Sequence, residues 1–93
     1  MTKDLEEGIR KAVEVLRSSG AREVYVFGSA ADGTDAPDSD IDLAVKGLAP
    51  EAFFETVGRI AMAIMRPFDL VDMDDPSPFT DYLQKKGKLL RVA

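Results

Sequence analysis

The sequence contains no cysteine, no histidine and no tryptophan. The absence of cysteine excludes disulfide bonds and thiolate chemistry, and the absence of histidine excludes an imidazole base or metal ligand. Basic residues are also few, with 12 Lys and Arg against 17 Asp and Glu, for a net charge of −5. This balance argues against direct binding of nucleic acid, which requires a basic surface. The carboxylates that remain favour hard cations such as Mg²⁺ or Mn²⁺.

Long apolar runs and a targeting segment are missing as well. The longest unbroken apolar run, Ile60 to Met65, is far shorter than the roughly 20 residues that cross a bilayer. The N-terminal residues are charged and carry no signal-peptide core. The chain has 93 residues without a repeat or a linker. We therefore expect a single domain over residues 1–93 in a cytoplasmic protein without membrane contact.

The apolar pattern predicts elements in the order α-β-β-α-β-α. The predicted helices cover about 4–19, 50–64 and 77–86, and the predicted strands cover 23–27, 40–45 and 68–73, with a short strand or tail at 89–92. The first two strands are joined by a loop and should be antiparallel, whereas the next connection contains a helix and should be a parallel crossover. The predicted fold class is α/β (α+β), a small mixed sheet with helices mainly on one face and the other face open.

The second predicted helix carries a broad apolar stripe that includes Phe53 and Phe54. Residues spaced in this way usually belong to the core of a small domain. We therefore expect both rings in the core, with part of the stripe left over for a partner in so small a protein.

The strand at 40–45 alternates polar and apolar residues. Side chains of a strand alternate between its faces, so Asp40 and Asp42 should share the open face while the apolar residues point to the helices. Two carboxylates this close repel each other unless a cation lies between them. The pattern is consistent with a divalent cation site and also with a solvated acidic turn that runs into a strand.

The first strand ends in Gly28-Ser29. Glycine at a strand end allows close backbone approach and a positive φ, and Ser29 offers a hydroxyl and a backbone N–H to an anion. Taken alone, Gly-Ser after a strand is usually an ordinary turn.

Gly28-Ser29 is followed after ten residues by Asp40-Ile41-Asp42. This combination resembles the signature of the DNA polymerase β-like nucleotidyltransferases, and the longer runs around it are similar to the minimal nucleotidyltransferase (MNT) family. Those runs are Phe27-Gly28-Ser29-Ala30-Ala31-Asp32-Gly33 and Asp38-Ser39-Asp40-Ile41-Asp42-Leu43-Ala44-Val45. The resemblance extends from Phe27 through Met73 and implies the nucleotidyltransferase fold.

The resemblance also implies roles for individual residues. Gly28 and Ser29 would bind the nucleotide phosphates, and Asp40 and Asp42 would hold two metal ions, Mg²⁺ or alternatively Mn²⁺. Asp69 matches the third aspartate, which would complete the catalytic and metal-binding set. The reaction implied is transfer of AMP from ATP to a hydroxyl group.

The strand at 68–73 contains a second carboxylate, Asp72, which is the rival of Asp69 for the third position. The two lie on opposite faces of the strand. If Asp69 joins the other aspartates, Asp72 points toward the helices or the sheet edge. The alternative for Asp69 is an ordinary surface charge at the start of a strand.

The sequence departs from the family pattern after Ser29. Many relatives carry an arginine there, but this chain has Ala30, Ala31 and Asp32. Another cation such as Lys46 or Arg66 would have to serve, although both are more typical of surface charges. A basic patch near the C-terminus is a further candidate for phosphate or an acidic partner, and otherwise solvates the last helix; it contains Lys85, Lys86, Lys88 and Arg91.

The MNT resemblance implies a protein partner, a HEPN-domain toxin, for which this chain would be the antitoxin. Two alternatives stay open. The first is a non-catalytic antitoxin that neutralises the toxin by binding alone. The second is a nucleotidyltransferase of the aminoglycoside type, acting on a small molecule and built as a homo-oligomer. Nucleotide preference, the acceptor, the number of AMP units and the oligomeric state are not fixed by the sequence.

Overall fold

A computed structural model describes residues 3–28, 31 and 40–93 of the chain. The elements are helix α1 (Lys3–Ser18), strands β1 (Glu23–Phe27) and β2 (Ile41–Lys46), a 3-10 turn (Pro50–Ala52), helix α2 (Phe53–Ile64), strand β3 (Phe68–Asp72), helix α3 (Pro78–Lys85) and strand β4 (Leu90–Arg91). The predicted order is confirmed, and the short C-terminal segment forms β4. No helix in the described part of the chain combines the length and apolarity needed to span a membrane.

The four strands form one sheet in the order β3-β2-β1-β4. β1 pairs antiparallel with β2 and with β4, whereas β2 pairs parallel with β3. Both predicted pairings are confirmed. The parallel pair follows from the α2 crossover, because parallel neighbours need a connection that returns along the sheet.

One face of the sheet is covered by α1 and α2 and contains the larger core. The apolar residues of β2 point to this face, as the alternation predicts. The fully buried members are Leu5, Ala12, Leu16, Val24, Val26, Ile41, Leu43, Val45 and Ile60. Arg59 of α2 donates hydrogen bonds to the hydroxyls of Ser18 and Ser19 at 2.8 Å, which fixes α2 against the end of α1.

The second face is not as open as the sequence suggests. Helix α3 packs on it, and Ala44, Met73 and Leu83 form a smaller buried cluster there. The prediction that helices lie mainly on one face is confirmed, since α1 and α2 share the other side. The short α3 nevertheless covers the middle of this face, next to the end of the sheet that carries Asp42.

The predicted core position of Phe54 is wrong. Its side chain is 83% exposed, whereas Thr56 and Ile60 are the buried residues of α2. At 100° per residue the apolar stripe extends around more of the helix than the sheet can cover. Phe53 is half-buried against the core, and Phe54 lies on the far side of the helix.

Candidate functional site

The parallel pairing of β2 and β3 brings two of the predicted carboxylates together. Asp42 and Asp69 are direct register partners, so their side chains leave the sheet on the same face. The negative charge of Asp69 acts on the carboxyl group of Asp42. Asp42 is partly buried and Asp69 is exposed.

The surroundings of Asp42 disfavour its charged form. Burial is the largest cause that raises the pKa of Asp42, followed by the negative charges of Asp69 and Asp40 and by hydrogen bonding with Asp69 that favours the protonated form of Asp42. Without a counterion, the site therefore holds more negative charge than it can stabilise. A divalent cation with oxygen ligands would relieve this repulsion.

Asp40 lies immediately before β2 and is exposed. Its charge reaches Asp42, so it belongs to the same electrostatic site. Within residues 3–28, 31 and 40–93, however, no group of three or more acidic side chains is arranged closely enough to hold a metal ion. The structure thus brings Asp42 and Asp69 side by side on one face of the sheet, with Asp40 immediately before β2. The set of donors is chemically suited to Mg²⁺ or Mn²⁺, and Asp40 would have to turn toward the pair to complete it.

Gly28 closes the site from the end of β1. Its φ is +66°, a region that favours glycine. A Cβ at this position would overlap the carboxylate of Asp42. Gly28 lies close to Asp42 because it directly follows Phe27, which is the register partner of Asp42. Glycine is therefore required by the backbone conformation and by the closeness of the carboxylate. Ser29, the other predicted phosphate-binding residue, lies outside the described residues.

The remaining sequence candidates do not join the carboxylate pair. Asp72 is the register partner of Val45, on the opposite face from Asp69, and accepts a hydrogen bond from the backbone N–H of Asp74 at 2.9 Å. Lys46 is at the far end of β2. The Arg66 side chain lies beside Gly8 of α1.

A pocket adjoins the carboxylates on the side of α3. Its volume is about 380 Å³, and Phe27 and Gly28 form the wall that it shares with the carboxylate pair. From the sequence, Phe79 and Tyr82 are predicted only to belong to the last helix, and their place in the pocket is missed. The signal that could have revealed it is the presence of two aromatic residues on one short amphipathic helix. We call this cavity the α3 pocket; it is lined by Phe27, Gly28, Phe79, Tyr82, Lys86 and Lys88 among others.

A larger cavity of about 650 Å³ lies elsewhere, at the start of α2, and includes Leu48, Phe54 and Asp72. None of Gly28, Asp40, Asp42 and Asp69 lines it. We therefore take the smaller α3 pocket, which adjoins the carboxylates, as the one relevant to the chemistry.

Comparison with known proteins gives a consistent result. The model of the family Polymerase beta, Nucleotidyltransferase matches residues 10–92. A chain in the crystal structure of a toxin-antitoxin with AMP-PNP is 31% identical with a TM-score of 0.67, and the match covers 86% of this chain and 69% of that one. A comparison with curated proteins gives no match.

Two other solved structures are also toxin-antitoxin complexes. A chain in the MntA-HepT complex is 27% identical with a TM-score of 0.64, over 90% of this chain and 69% of that one. A chain in the complex of a tri-AMPylated Shewanella oneidensis HEPN toxin with an MNT antitoxin is 28% identical with a TM-score of 0.58, over 78% of this chain and 59% of that one.

Proposed function

Since the chain belongs to the polymerase beta nucleotidyltransferase family, we propose that it is an antitoxin that transfers AMP from ATP to a hydroxyl group of a HEPN-domain toxin. A similar chain occurs in a complex that contains an AMPylated HEPN toxin and an MNT antitoxin, and another occurs in a toxin-antitoxin with AMP-PNP. In this proposal, residues 1–93 act as a single minimal nucleotidyltransferase domain in the cytoplasm.

The observation that carries the proposal is the register pairing of Asp42 with Asp69 beside Gly28. Asp40, Asp42 and Asp69 would hold the divalent ions, two Mg²⁺ or alternatively Mn²⁺. These ions would supply charge neutralisation for the triphosphate and activation of the acceptor hydroxyl. The raised pKa of Asp42 fits this role, because the carboxylates crowd negative charge that a cation would stabilise.

The residues would divide the reaction between them. The acceptor oxygen attacks the α-phosphorus, the bond to the bridging oxygen breaks, and pyrophosphate leaves with the bonding electrons. Asp69, which is exposed, takes the proton of the acceptor hydroxyl. Gly28 leaves room for the phosphates next to Asp42, and Ser29 remains a predicted phosphate ligand. Positioning and charge stabilisation are enough, so no covalent enzyme intermediate is needed.

The test is the intact mass of a HEPN-domain toxin after incubation with this chain, ATP and Mg²⁺. We expect the toxin to gain one or more AMP units, and Asp69→Asn to abolish the gain. Asp72→Asn is the matched control, because Asp72 lies on the same strand but on the opposite face. An unmodified toxin, or equal labelling by wild type and Asp69→Asn, would contradict the proposed transfer.

A second candidate is neutralisation of the toxin by binding alone. The observation that favours it is that no three acidic side chains in the described ranges are arranged to hold a metal. Under this alternative, Asp42→Asn and Asp69→Asn would inhibit the toxin as well as wild type, without nucleotide. Loss of inhibition in both variants, with complex formation intact, would leave only the catalytic function.

A further inference from the structure

The α3 pocket lies beside the carboxylate site. Phe27 pairs in register with Asp42, and a Cβ on Gly28 would overlap the Asp42 carboxylate. Both Phe27 and Gly28 also line the pocket. A ligand whose phosphates lie at Asp42 can therefore extend past Gly28 into the α3 pocket. The volume of about 380 Å³ is within the range of small-molecule sites.

The pocket offers aromatic rings that remain about half exposed. Leu83 supplies the buried contact of α3 with the sheet, whereas Phe79 is 49% exposed and Tyr82 is 55% exposed. Phe79 and Phe27 pack edge to face, with ring centroids 6.1 Å apart. Exposed rings inside a concave wall are suited to stacking with a planar heterocycle.

The pocket also places positive charge next to an acidic site. Lys86 and Lys88 line it. The neighbouring Lys85 does not line it and is paired with Asp81 at 3.2 Å. The chain has a net charge of −5, and Asp40, Asp42 and Asp69 would repel a polyphosphate at close range. Cations on the wall beside Gly28 offset this repulsion.

From this juxtaposition we infer that the α3 pocket holds the nucleobase of the nucleotide substrate, stacked on Phe79 and Tyr82, while Lys86 attracts the phosphate chain. The inference rests on the proposed function, because it assigns the base of that nucleotide to a particular wall. It makes Tyr82 a residue for binding the base and Lys86 a residue for binding the phosphates. The two roles can be separated by the choice of ligand.

The test is calorimetric binding of two probes, AMP-PNP with Mg²⁺ and inorganic tripolyphosphate with Mg²⁺. Tyr82→Ala should weaken AMP-PNP binding about tenfold, in line with the loss of one stacked base, and leave tripolyphosphate binding unchanged. Tyr82→Phe keeps the ring and should bind both probes like wild type. Lys86→Ala should weaken both probes.

The chain offers matched controls for each variant. Phe54→Ala removes a ring that is 83% exposed on α2, outside the α3 pocket. Lys85→Ala removes the adjacent lysine, which is paired with Asp81. Both should bind the two probes like wild type, and thermal unfolding verifies that every variant is folded. If Tyr82→Ala does not fold, Tyr82→Leu replaces it, because it keeps an apolar side chain and removes only the aromatic ring; AMP-PNP binding by Tyr82→Leu equal to that of Tyr82→Phe would overturn the pocket assignment.

The outcomes separate this inference from the proposed function. Unchanged AMP-PNP binding by Tyr82→Ala, or an equal loss in Phe54→Ala, overturns the pocket assignment even if AMP transfer is intact. A selective loss of AMP-PNP binding upholds the pocket even if no toxin is ever modified. No binding of AMP-PNP by wild type overturns both.

Discussion

At the scale of single residues, the partly buried Asp42 is the most informative side chain. Its pKa is raised in the folded protein, first by burial and then by Asp69 and Asp40. A group with a raised pKa contributes stability below its unfolded pKa and loses that contribution as the pH rises through the folded value. Without metal, a rise in pH through the folded pKa of Asp42 therefore lowers the stability of the fold.

We predict that Asp42→Asn stabilises the metal-free protein at pH 7 while it abolishes transfer. The expected gain in the free energy of unfolding is about 0.2–1 kcal/mol, the scale of a cross-strand pair. The gain should disappear near pH 3, below the ordinary aspartate pKa of about 3.9. Urea unfolding at the two pH values measures it. Asp75→Asn, a change of the same charge at an exposed position, should give a smaller gain at pH 7, and equal gains would contradict the argument.

Gly28 supports a second prediction, because Gly20 provides a matched control. Both have positive φ, +66° at Gly28 and +101° at Gly20, but a Cβ at Gly20 has nothing within 4 Å. Alanine at either position should cost about 1–2 kcal/mol of stability for the left-handed conformation. Only Gly28→Ala also displaces the Asp42 carboxylate.

We therefore expect Gly28→Ala to reduce AMP transfer about 10²-fold, the effect of a misplaced catalytic group. Gly20→Ala should retain wild-type transfer at a temperature where both variants are folded. Transfer rates measured alongside thermal unfolding separate the two effects. Equal transfer by the two alanine variants would show that the close approach of Gly28 to Asp42 is not needed.

At the scale of elements, helix α3 depends on its N-terminal cap. The Ser77 hydroxyl accepts a hydrogen bond from the backbone N–H of Thr80 at 3.1 Å, and the Thr80 hydroxyl accepts one from the N–H of Ser77 at 3.0 Å. Such a reciprocal pair satisfies two backbone donors at the start of a helix. Because α3 has eight residues, the cap is a large part of what defines it.

We predict that Ser77→Ala lowers the free energy of unfolding by about 1 kcal/mol, or about 4–8 °C in Tm for a domain of this size. Ser77→Thr keeps an accepting hydroxyl and should stay close to wild type. Thermal unfolding by circular dichroism measures both changes. An unchanged Tm in Ser77→Ala would mean that packing of Leu83 alone holds α3 in place.

The elements differ in how well the sequence predicts them. β2 is predicted well because its polar and apolar residues alternate, and only one orientation of such a strand buries all the apolar side chains. Ile41, Leu43 and Val45 accordingly all lie in the core. The exposure of Phe54 is not predicted, since a helical stripe does not indicate how wide a surface the sheet will cover. The apolar spacing in the sequence is the same for a phenylalanine that packs in the core and for one that stays exposed.

At the scale of the whole molecule, connection lengths predict the strand directions, but local patterns do not predict which face α3 covers. Phe27 and Phe79 contact each other only because α3 folds back over β1. The proximity of Asp42 and Asp69 likewise depends on tertiary structure, because it is set by the register between β2 and β3. The spacing within one strand is enough to pair Asp40 with Asp42, whereas Asp69 can be identified as the third carboxylate only through the family resemblance.

We predict that metal binding increases the stability of the entire chain. A ligand that binds only the folded state stabilises it in proportion to the logarithm of its concentration, by about 1.4 kcal/mol at ten times its Kd. The repulsion around Asp42 exists only when the sheet is assembled, so a divalent cation should bind the folded state preferentially. We expect Mg²⁺ at that excess to raise the Tm by about 5–10 °C.

Screening of the net charge of −5 would also raise the Tm, so NaCl at matched ionic strength is the reference. The part of the increase that is specific to Mg²⁺ should vanish in Asp42→Asn and in Asp69→Asn and persist in Asp72→Asn. An equal increase with Na⁺ would mean that the carboxylates bind no metal before the nucleotide arrives. In that case the triphosphate would have to bring its own ion, and Asp40 would turn toward the pair only in the nucleotide complex.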